Sequence, residues 1–180
     1  AGRAQEILQV YDDARFRDLA DWRTAQGLPP QPAIAILSGS LDFPVPAALV
    51  ANNRQVIIIT HRRADPARVQ ALQRTIPAVV VLPTDTITGH DLVQTLAERD
   101  LRTIYSASGP KVLHLLAAAG LLDRLYLTLA NRLLGGDSYS TLVEGPLLTP
   151  PADMHLHTVY HDAAGLDGLG QLFLSYQRAG

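Results

Sequence analysis

The sequence predicts an α/β fold in which helices flank a mostly parallel central sheet and a C-terminal antiparallel hairpin closes the sheet. Short apolar runs alternate with helical patterns as far as residue 130, which is typical of consecutive βα units. The runs are continuously apolar, and this indicates strands that are buried on both faces of a parallel sheet. After Asn131 the pattern changes to two further runs joined by a glycine-rich turn, which favours an antiparallel hairpin.

Each predicted element follows from its local pattern. Helical periodicity at residues 4–10 and 12–26 ends at Gly27, and three prolines then extend the chain. The predicted strands occupy residues 33–37, 56–59, 78–82, 103–105, 125–130, 155–161 and 171–176. The predicted helices between them occupy residues 66–75, 90–99 and 110–119. The result is one domain without repeats or a dividing linker.

The composition is that of a globular protein without a charge bias. The chain has 180 residues, 47% hydrophobic and 18% charged, which is enough for one domain with a sizeable core. A net charge of −2 gives no electrostatic reason to expect nucleic acid or an anionic membrane as a partner. The lack of cysteine excludes disulfides, thiolate nucleophiles and cysteine-based zinc sites. No apolar run approaches the roughly 20 residues that span a bilayer, and we expect a cytoplasmic protein.

The turn at Ser108, Gly109 and Pro110 is the strongest candidate for a ligand site. It joins a predicted strand to a predicted helix, and ligands of open α/β sheets bind beyond the carboxyl ends of strands. Gly109 lets the backbone approach a ligand closely, and Pro110 suits the first helical position. Unpaired N–H groups and the helix dipole favour an anion there. The sequence therefore predicts a phosphate site, with a simple helix cap as the alternative.

Other strand ends also carry polar side chains, and each has a plainer interpretation. Ser38 and Ser40 follow the predicted strand at residues 33–37, where serine often bonds to its own backbone in a turn. Arg62 and Arg63 fit a solvated loop, with a contact to a 2′-phosphate as the alternative. The ends of these strands offer hydroxyls and cations, which suit a phosphorylated ligand with a planar base.

Three histidines in one predicted strand raise the question of a metal. His155, His157 and His161 share one face of a regular strand, since side chains alternate with period 2. Imidazole is a common zinc ligand, but no carboxylate lies at close ligand spacing beside them. We therefore predict a solvent-facing or interface strand and no metal site.

The stretch GLLDRLYLTLANRLLGGDSYSTL, together with the Ser108–Gly109–Pro110 turn before it, resembles the dihydrofolate-reductase-like superfamily. The similarity is to the branch of the riboflavin-biosynthesis pyrimidine reductases, whose reductase is the C-terminal domain of a bifunctional deaminase-reductase. The resemblance covers nearly the whole chain and implies a dihydrofolate-reductase-like α/β fold. It also implies that the first strand and helix of such a domain would precede Ala1.

The resemblance implies NADPH as cofactor and assigns residues to its parts. Arg3 matches the arginine of a Gly-Arg loop that holds cofactor phosphates, although Gln5 stands where the family has threonine. Ser38 and Ser40 match the strand end that holds the adenosine ribose and its 2′-phosphate, and Thr60 matches a strand end near the adenine. The pyrophosphate loop is matched at 108–111. The implied cofactor-binding residues are Arg3, Ser38, Ser40, Thr60, Ser108, Gly109, Pro110 and Lys111.

The function implied by the resemblance is hydride transfer from NADPH to a pyrimidine-ribose intermediate, namely 5-amino-6-(5-phosphoribosylamino)uracil. Ala107 stands where these reductases carry an acidic residue before the loop, so a dihydrofolate or pteridine-type reductase is the alternative. A non-catalytic NADPH-binding dimer is a second alternative. No residue stands out as a general acid, and the catalytic residues stay unknown. The family implies a homodimer, formed through the later strands.

Overall fold

The computed structural model describes residues 14–29, 31–51, 54–137 and 141–179, which belong to two compact units, Ala1–Ile87 and Thr88–Gly180. The first contains a 3₁₀ turn (Ala14–Phe16), α1 (Arg17–Ala25), β1 (Ile34–Leu37), α2 (Ala47–Val50), β2 (Val56–His61), α3 (Pro66–Gln73) and β3 (Ala78–Leu82). The second contains α4 (Gly89–Ala97), α5 (Pro110–Ala118), β4 (Arg124–Ala130), β5 (Met154–Asp162) and β6 (Gln171–Arg178). The helix predicted at residues 4–10 lies outside the described residues, and the extent of the single domain stays a prediction.

The sheet of the first unit is parallel, with the strand order β1-β2-β3. Its register pairs Ile36 with Ile58 and Ile58 with Val79. Ile57, Ile58 and Ile59 of the central strand have no exposed surface, so β2 is buried on both faces as its continuous apolar run predicted. Because the three strands run in one direction, their carboxyl ends meet at one edge of the sheet.

One hydrophobic cluster stabilises the first unit. It consists of the buried residues Leu41, Leu49, Val56, Ile58, Ala64 and Ile76, with partly buried side chains of α3 and of the neighbouring strands around them. Leu49 belongs to α2, which the sequence did not predict, because a four-residue helix is too short to show a period. Leu41 and Ala64 belong to the segments that follow β1 and β2. The cluster therefore fixes these two segments at the carboxyl edge of the sheet.

The second unit has an antiparallel sheet with the strand order β4-β6-β5. The predicted hairpin of β5 and β6 is confirmed, but β4 differs from its prediction as a strand of the parallel set, because it pairs antiparallel with β6. Its leucines alternate with Tyr126 and Thr128, which are exposed. This period of 2 is the pattern of a strand with two different faces.

The strand predicted at residues 103–105 is absent from the described structure, where these residues form no ladder with another strand. The side chain of Tyr105 is 80% exposed. Three residues between Arg102 and Ser106 provide few backbone hydrogen bonds, so this short run does not define a strand without a neighbouring edge.

A β-bulge separates the three histidines of β5. The register moves from Leu156 opposite Tyr176 to Thr158 opposite Ser175, so His157 has no direct partner. Because of the extra residue, the side chains that follow it in β5 lie on the opposite faces of the sheet to those expected for a regular strand. The prediction of one shared face is therefore wrong, because His155 and His161 now lie on opposite faces.

Helix α4 begins with a capping box. Thr88 Oγ1 accepts a hydrogen bond from Asp91 N at 3.2 Å, while Thr88 N donates to Asp91 Oδ2 at 2.8 Å. Gly89, the first residue of the helix, lies against α5, since a Cβ there would collide with the backbone oxygen of Leu115. No helix among the described residues is long and apolar enough to cross a bilayer.

The capping box predicts a pH dependence of stability. The pKa of Asp91 lies below its ordinary value because the backbone N–H of Thr88, and then its hydroxyl, donate to the carboxylate. A lowered folded-state pKa stabilises the fold above the unfolded-state value of about 4, and this contribution is lost as the pH falls through the folded-state pKa. We expect Asp91→Asn to be less stable than wild type in urea unfolding at pH 6–7 and equally stable at the acid end. A difference that persists unchanged at low pH would contradict this.

Candidate functional site

The carboxyl edge of the parallel sheet brings together three of the predicted strand ends. Ser38 N donates to Ile59 O at 3.1 Å, which joins the end of β1 to β2. Arg62 N donates to Thr84 O at 3.0 Å, which joins the end of β2 to the loop after β3. The backbone therefore holds these loops side by side, at the edge where ligands of α/β sheets bind.

Ser38 and Ser40 both stabilise the turn that follows β1. Ser38 Oγ accepts from Leu41 N at 3.0 Å, and Ser40 Oγ accepts from Asp42 N at 3.2 Å. Leu41 has a left-handed φ of 55° and is buried in the core. The turn is thus fixed by its own hydrogen bonds, as the plainer interpretation held, and each hydroxyl hydrogen is still able to donate to a ligand.

Thr60, which the resemblance placed near the adenine, and His61, which was given no role, differ in exposure at the end of β2. Thr60 is fully buried, and its Oγ1 has no hydrogen-bond partner among the described residues. His61 follows it at the partly exposed end of β2, and its Nε2 lies 3.0 Å from the position of a Cβ at Gly39. The sequence analysis gave His61 no role, because it considered only Thr60 at the end of this strand. The signal that could have identified His61 is its place as the last residue of β2, where its side chain lies on the opposite face of the sheet to that of Thr60.

An ion-pair cluster lies beside His61. Arg62 Nε and Arg63 Nη2 donate to separate oxygens of the Asp85 carboxylate, each at 2.5 Å. These hydrogen bonds, that from Arg62 foremost, hold the pKa of Asp85 below its usual range, and the same bond raises the pKa of Arg62. The sequence placed Arg62 and Arg63 in a solvated loop but gave no sign of Asp85 as their partner.

An open cavity of about 460 Å³ begins at this cluster. Arg62 forms part of its wall, and α3 and β3 contribute apolar side chains such as Val69 and Val81 together with the amides of Gln70 and Gln73. Val81 is 44% exposed, so part of the wall is apolar surface that solvent reaches. The cavity leaves room for a group bound beside the Arg62 guanidinium.

The second unit contains the predicted phosphate loop. Gly109 is the N-cap residue of α5 and Pro110 is its first helical residue, as predicted. No side chain caps this helix, whereas Asp65 caps α3 and Thr88 caps α4. Ser108 and Gly109 are exposed, so no described residue covers the positive end of the α5 dipole at these two positions.

Gly109 is not required by the fold. Its φ of −71° and ψ of 178° are extended values that any residue adopts, and no described atom lies within 4 Å of the position of a Cβ. Gly89 shows the opposite case, because the backbone of α5 occupies the space of its Cβ. The space that the described residues leave at Gly109 would allow an anionic ligand to approach the backbone.

Lys111 already has an acidic partner. Its Nζ lies 3.4 Å from Glu144 Oε1, and both side chains are largely exposed. Glu144 N also donates to Pro110 O at 3.2 Å, which holds the carboxylate beside the start of α5. Glu144 lies about 30 residues from the loop in sequence, so the pattern that identified the loop could not identify this neighbour.

Gly145 and Pro146, which follow Glu144 in the chain, pack on α5. His114 Nε2 lies 2.7 Å from Pro146 O, and a Cβ at Gly145 would collide with the His114 ring. The segment is therefore fixed at two points along the helix.

The other groups considered in the sequence add no residue to the carboxyl edge of the parallel sheet or to the start of α5. Arg3 lies outside the described residues. Within the part of the chain that the structure describes, no group of three or more histidine, aspartate or glutamate side chains is placed to hold a metal. No described side chain can be identified as a general acid from these contacts.

Two solved structures share this fold. A pyrimidine reductase-like protein from Corynebacterium diphtheriae matches with a TM-score of 0.72 and 23% identity, over 91% of this chain and 67% of that one. RibD from Acinetobacter baumannii matches with a TM-score of 0.59 and 20% identity, over 83% of this chain and 38% of that one. These matches confirm the predicted α/β fold of the dihydrofolate-reductase-like type.

The sequence also matches the family model of the RibD C-terminal domain over residues 5–166. The chain therefore belongs to the RibD C-terminal domain family, which confirms the branch that its motifs resembled. No curated protein matches the chain.

Proposed function

We propose that this protein is an NADPH-dependent reductase that acts on the ribose carbonyl of a phosphorylated pyrimidine intermediate. The observation that carries the proposal is the start of α5, where a helix N-terminus without a side-chain cap meets a glycine whose Cβ position has no described atom within 4 Å. Membership of the RibD C-terminal domain family supports the same interpretation of the loop.

The residues present suit the parts of NADPH. At the α5 loop, backbone N–H groups and the helix dipole favour the pyrophosphate, and the exposed Lys111 ammonium would bind it in exchange for its contact with Glu144. Ser38 and Ser40 present hydroxyls at a strand end, which suits the adenosine ribose. Bound NADPH would supply the hydride, while the protein orients the cofactor and the substrate.

A dihydrofolate or pteridine-type reductase is the second candidate. Ala107 favours it, because the pyrimidine reductases of the resembled branch carry an acidic residue at this position. Both candidates use the same cofactor, so they differ only in the substrate that is turned over.

The test combines binding with turnover. Calorimetric titration is expected to show NADPH binding, with NADH binding more weakly. Cofactor oxidation is then followed with 5-amino-6-(5-phosphoribosylamino)uracil and, separately, with dihydrofolate and a dihydropteridine. Turnover of the pyrimidine alone supports the proposal, and turnover of a pteridine alone selects the second candidate. Binding of NADPH without oxidation by any of the three would make the protein a non-catalytic relative, and absence of binding would contradict both reductases.

A further inference from the structure

Glu144 places a carboxylate at the start of α5, beside the proposed pyrophosphate loop. Its Oε1 lies 3.4 Å from Lys111 Nζ, and Glu144 N donates to Pro110 O at 3.2 Å. The first contact pairs the two charges, and the second holds the backbone of Glu144 against the first turn of the helix. The carboxylate is therefore a resident anion next to the groups that would receive a phosphate.

The chain after Glu144 keeps this carboxylate near the loop. Pro146 O lies 2.7 Å from His114 Nε2, and Gly145 lies against the His114 ring. His114 follows Lys111 by three residues in α5, so the segment lies along one side of the first turns of the helix. The Lys111 and Glu144 side chains are 78% and 56% exposed, which leaves both free to change rotamer. A phosphate can therefore take the ammonium from Glu144, but the carboxylate stays close to the bound phosphate.

The two side-chain charges at the start of α5 offset each other. The Lys111 ammonium is matched by the Glu144 carboxylate, and the helix dipole adds the equivalent of roughly half a positive charge. A phosphate that is esterified on both sides carries about one negative charge, whereas a terminal phosphate carries about 1.5 to 2 at pH 7. The carboxylate repels the terminal phosphate more strongly, so the loop is suited to the phosphate of lower charge.

We propose that Glu144 selects ligands whose pyrophosphate is esterified at both ends, as in a dinucleotide, over ligands that end in a phosphate. The inference rests on the proposed function, since it assigns specificity to the proposed pyrophosphate loop. In water, a unit charge about 6 Å from another changes an affinity about threefold. Glu144 therefore weakens the binding of a doubly esterified pyrophosphate about threefold and that of a terminal phosphate about tenfold. The difference favours the dinucleotide over nucleoside diphosphates.

The test is the variant Glu144→Gln, which removes the charge and keeps the length of the side chain. Calorimetry at low ionic strength gives dissociation constants for adenosine diphosphate ribose, whose second phosphate is esterified, and for adenosine diphosphate, whose second phosphate is terminal. We expect the constant for adenosine diphosphate to fall about tenfold and that for adenosine diphosphate ribose about threefold. Both gains should shrink at about 1 M salt, because salt screens exposed charges.

Two control variants separate charge from shape. Glu144→Asp keeps the charge and should keep the wild-type ratio of the two constants, while Glu98→Gln removes an exposed carboxylate from the C-cap of α4 and should change neither constant. If Glu144→Gln keeps the wild-type ratio, the inference is overturned, and binding of NADPH still upholds the proposed function. If wild type does not bind NADPH, the proposed function fails; a larger gain for adenosine diphosphate than for its ribose ester in Glu144→Gln would still support the role of Glu144, and binding of neither would overturn it.

Discussion

Gly109→Val is expected to weaken NADPH binding by at least about tenfold while the protein stays folded. The valine side chain would fill the open space at the start of α5 and keep a pyrophosphate from the backbone N–H groups, and each lost bond to a charged group costs about 1.5–3 kcal/mol. Because Gly109 has ordinary backbone angles, the change should lower the free energy of unfolding by no more than about 1 kcal/mol, as for other unfavourable N-cap residues.

The matched control for this variant is Gly135→Val. Gly135 is also exposed, and no described atom lies within 4 Å of the position of its Cβ. Calorimetric titration with NADPH and thermal unfolding are measured for both variants. Loss of affinity confined to the Gly109 variant supports the pyrophosphate loop. Wild-type affinity in the Gly109 variant would show that the phosphates bind elsewhere.

Ile58→Ala is expected to destabilise the first unit by about 2–5 kcal/mol, which is a large part of the stability of a small domain. Ile58 has no exposed surface and belongs to the central strand, where the cluster around Leu41, Leu49 and Ile76 surrounds it. Removing most of its side chain loses apolar burial and leaves a cavity that a packed parallel sheet cannot easily close.

Urea unfolding of this variant is compared with that of Val81→Ala. Val81 lies on the edge strand β3 of the same sheet and is 44% exposed, so its truncation should cost less than about 1 kcal/mol. A cost at Ile58 as small as that at Val81 would show that β2 is not the centre of the core.

The strands and helices predicted with success have local causes. A run of consecutive apolar residues, as at 56–59, is apolar on both faces whichever neighbour it packs against, so its burial could be predicted. The start of α5 was predicted because Gly109 and Pro110 act through their own backbone properties. The same holds for Gly27, whose positive φ ends the helical segment.

The features that the sequence analysis predicted wrongly or did not find depend on contacts between residues that are far apart in the chain. Residues 103–105 have a strand composition, but a strand also needs an adjacent edge, which composition does not record. The bulge at His157 depends on how β5 meets β6, and a single extra residue changed which histidines share a face. Arg62, Asp85 and Glu144 likewise acquired their roles from partners more than 20 residues away.

The sequence by itself determined the class of fold, the family and the start of helix α5 at Gly109 and Pro110, because periodicity, turn chemistry and contiguous motifs are properties of neighbouring residues. The phosphate role of that turn stays a prediction. The homodimer and the cytoplasmic location stay predictions. The tertiary structure decided that Thr60 is buried and His61 is not, that β4 is antiparallel, and that Asp85 and Glu144 lie beside the cationic groups. Burial and ion pairing depend on which segments meet in space, and only the packed chain brings those segments together.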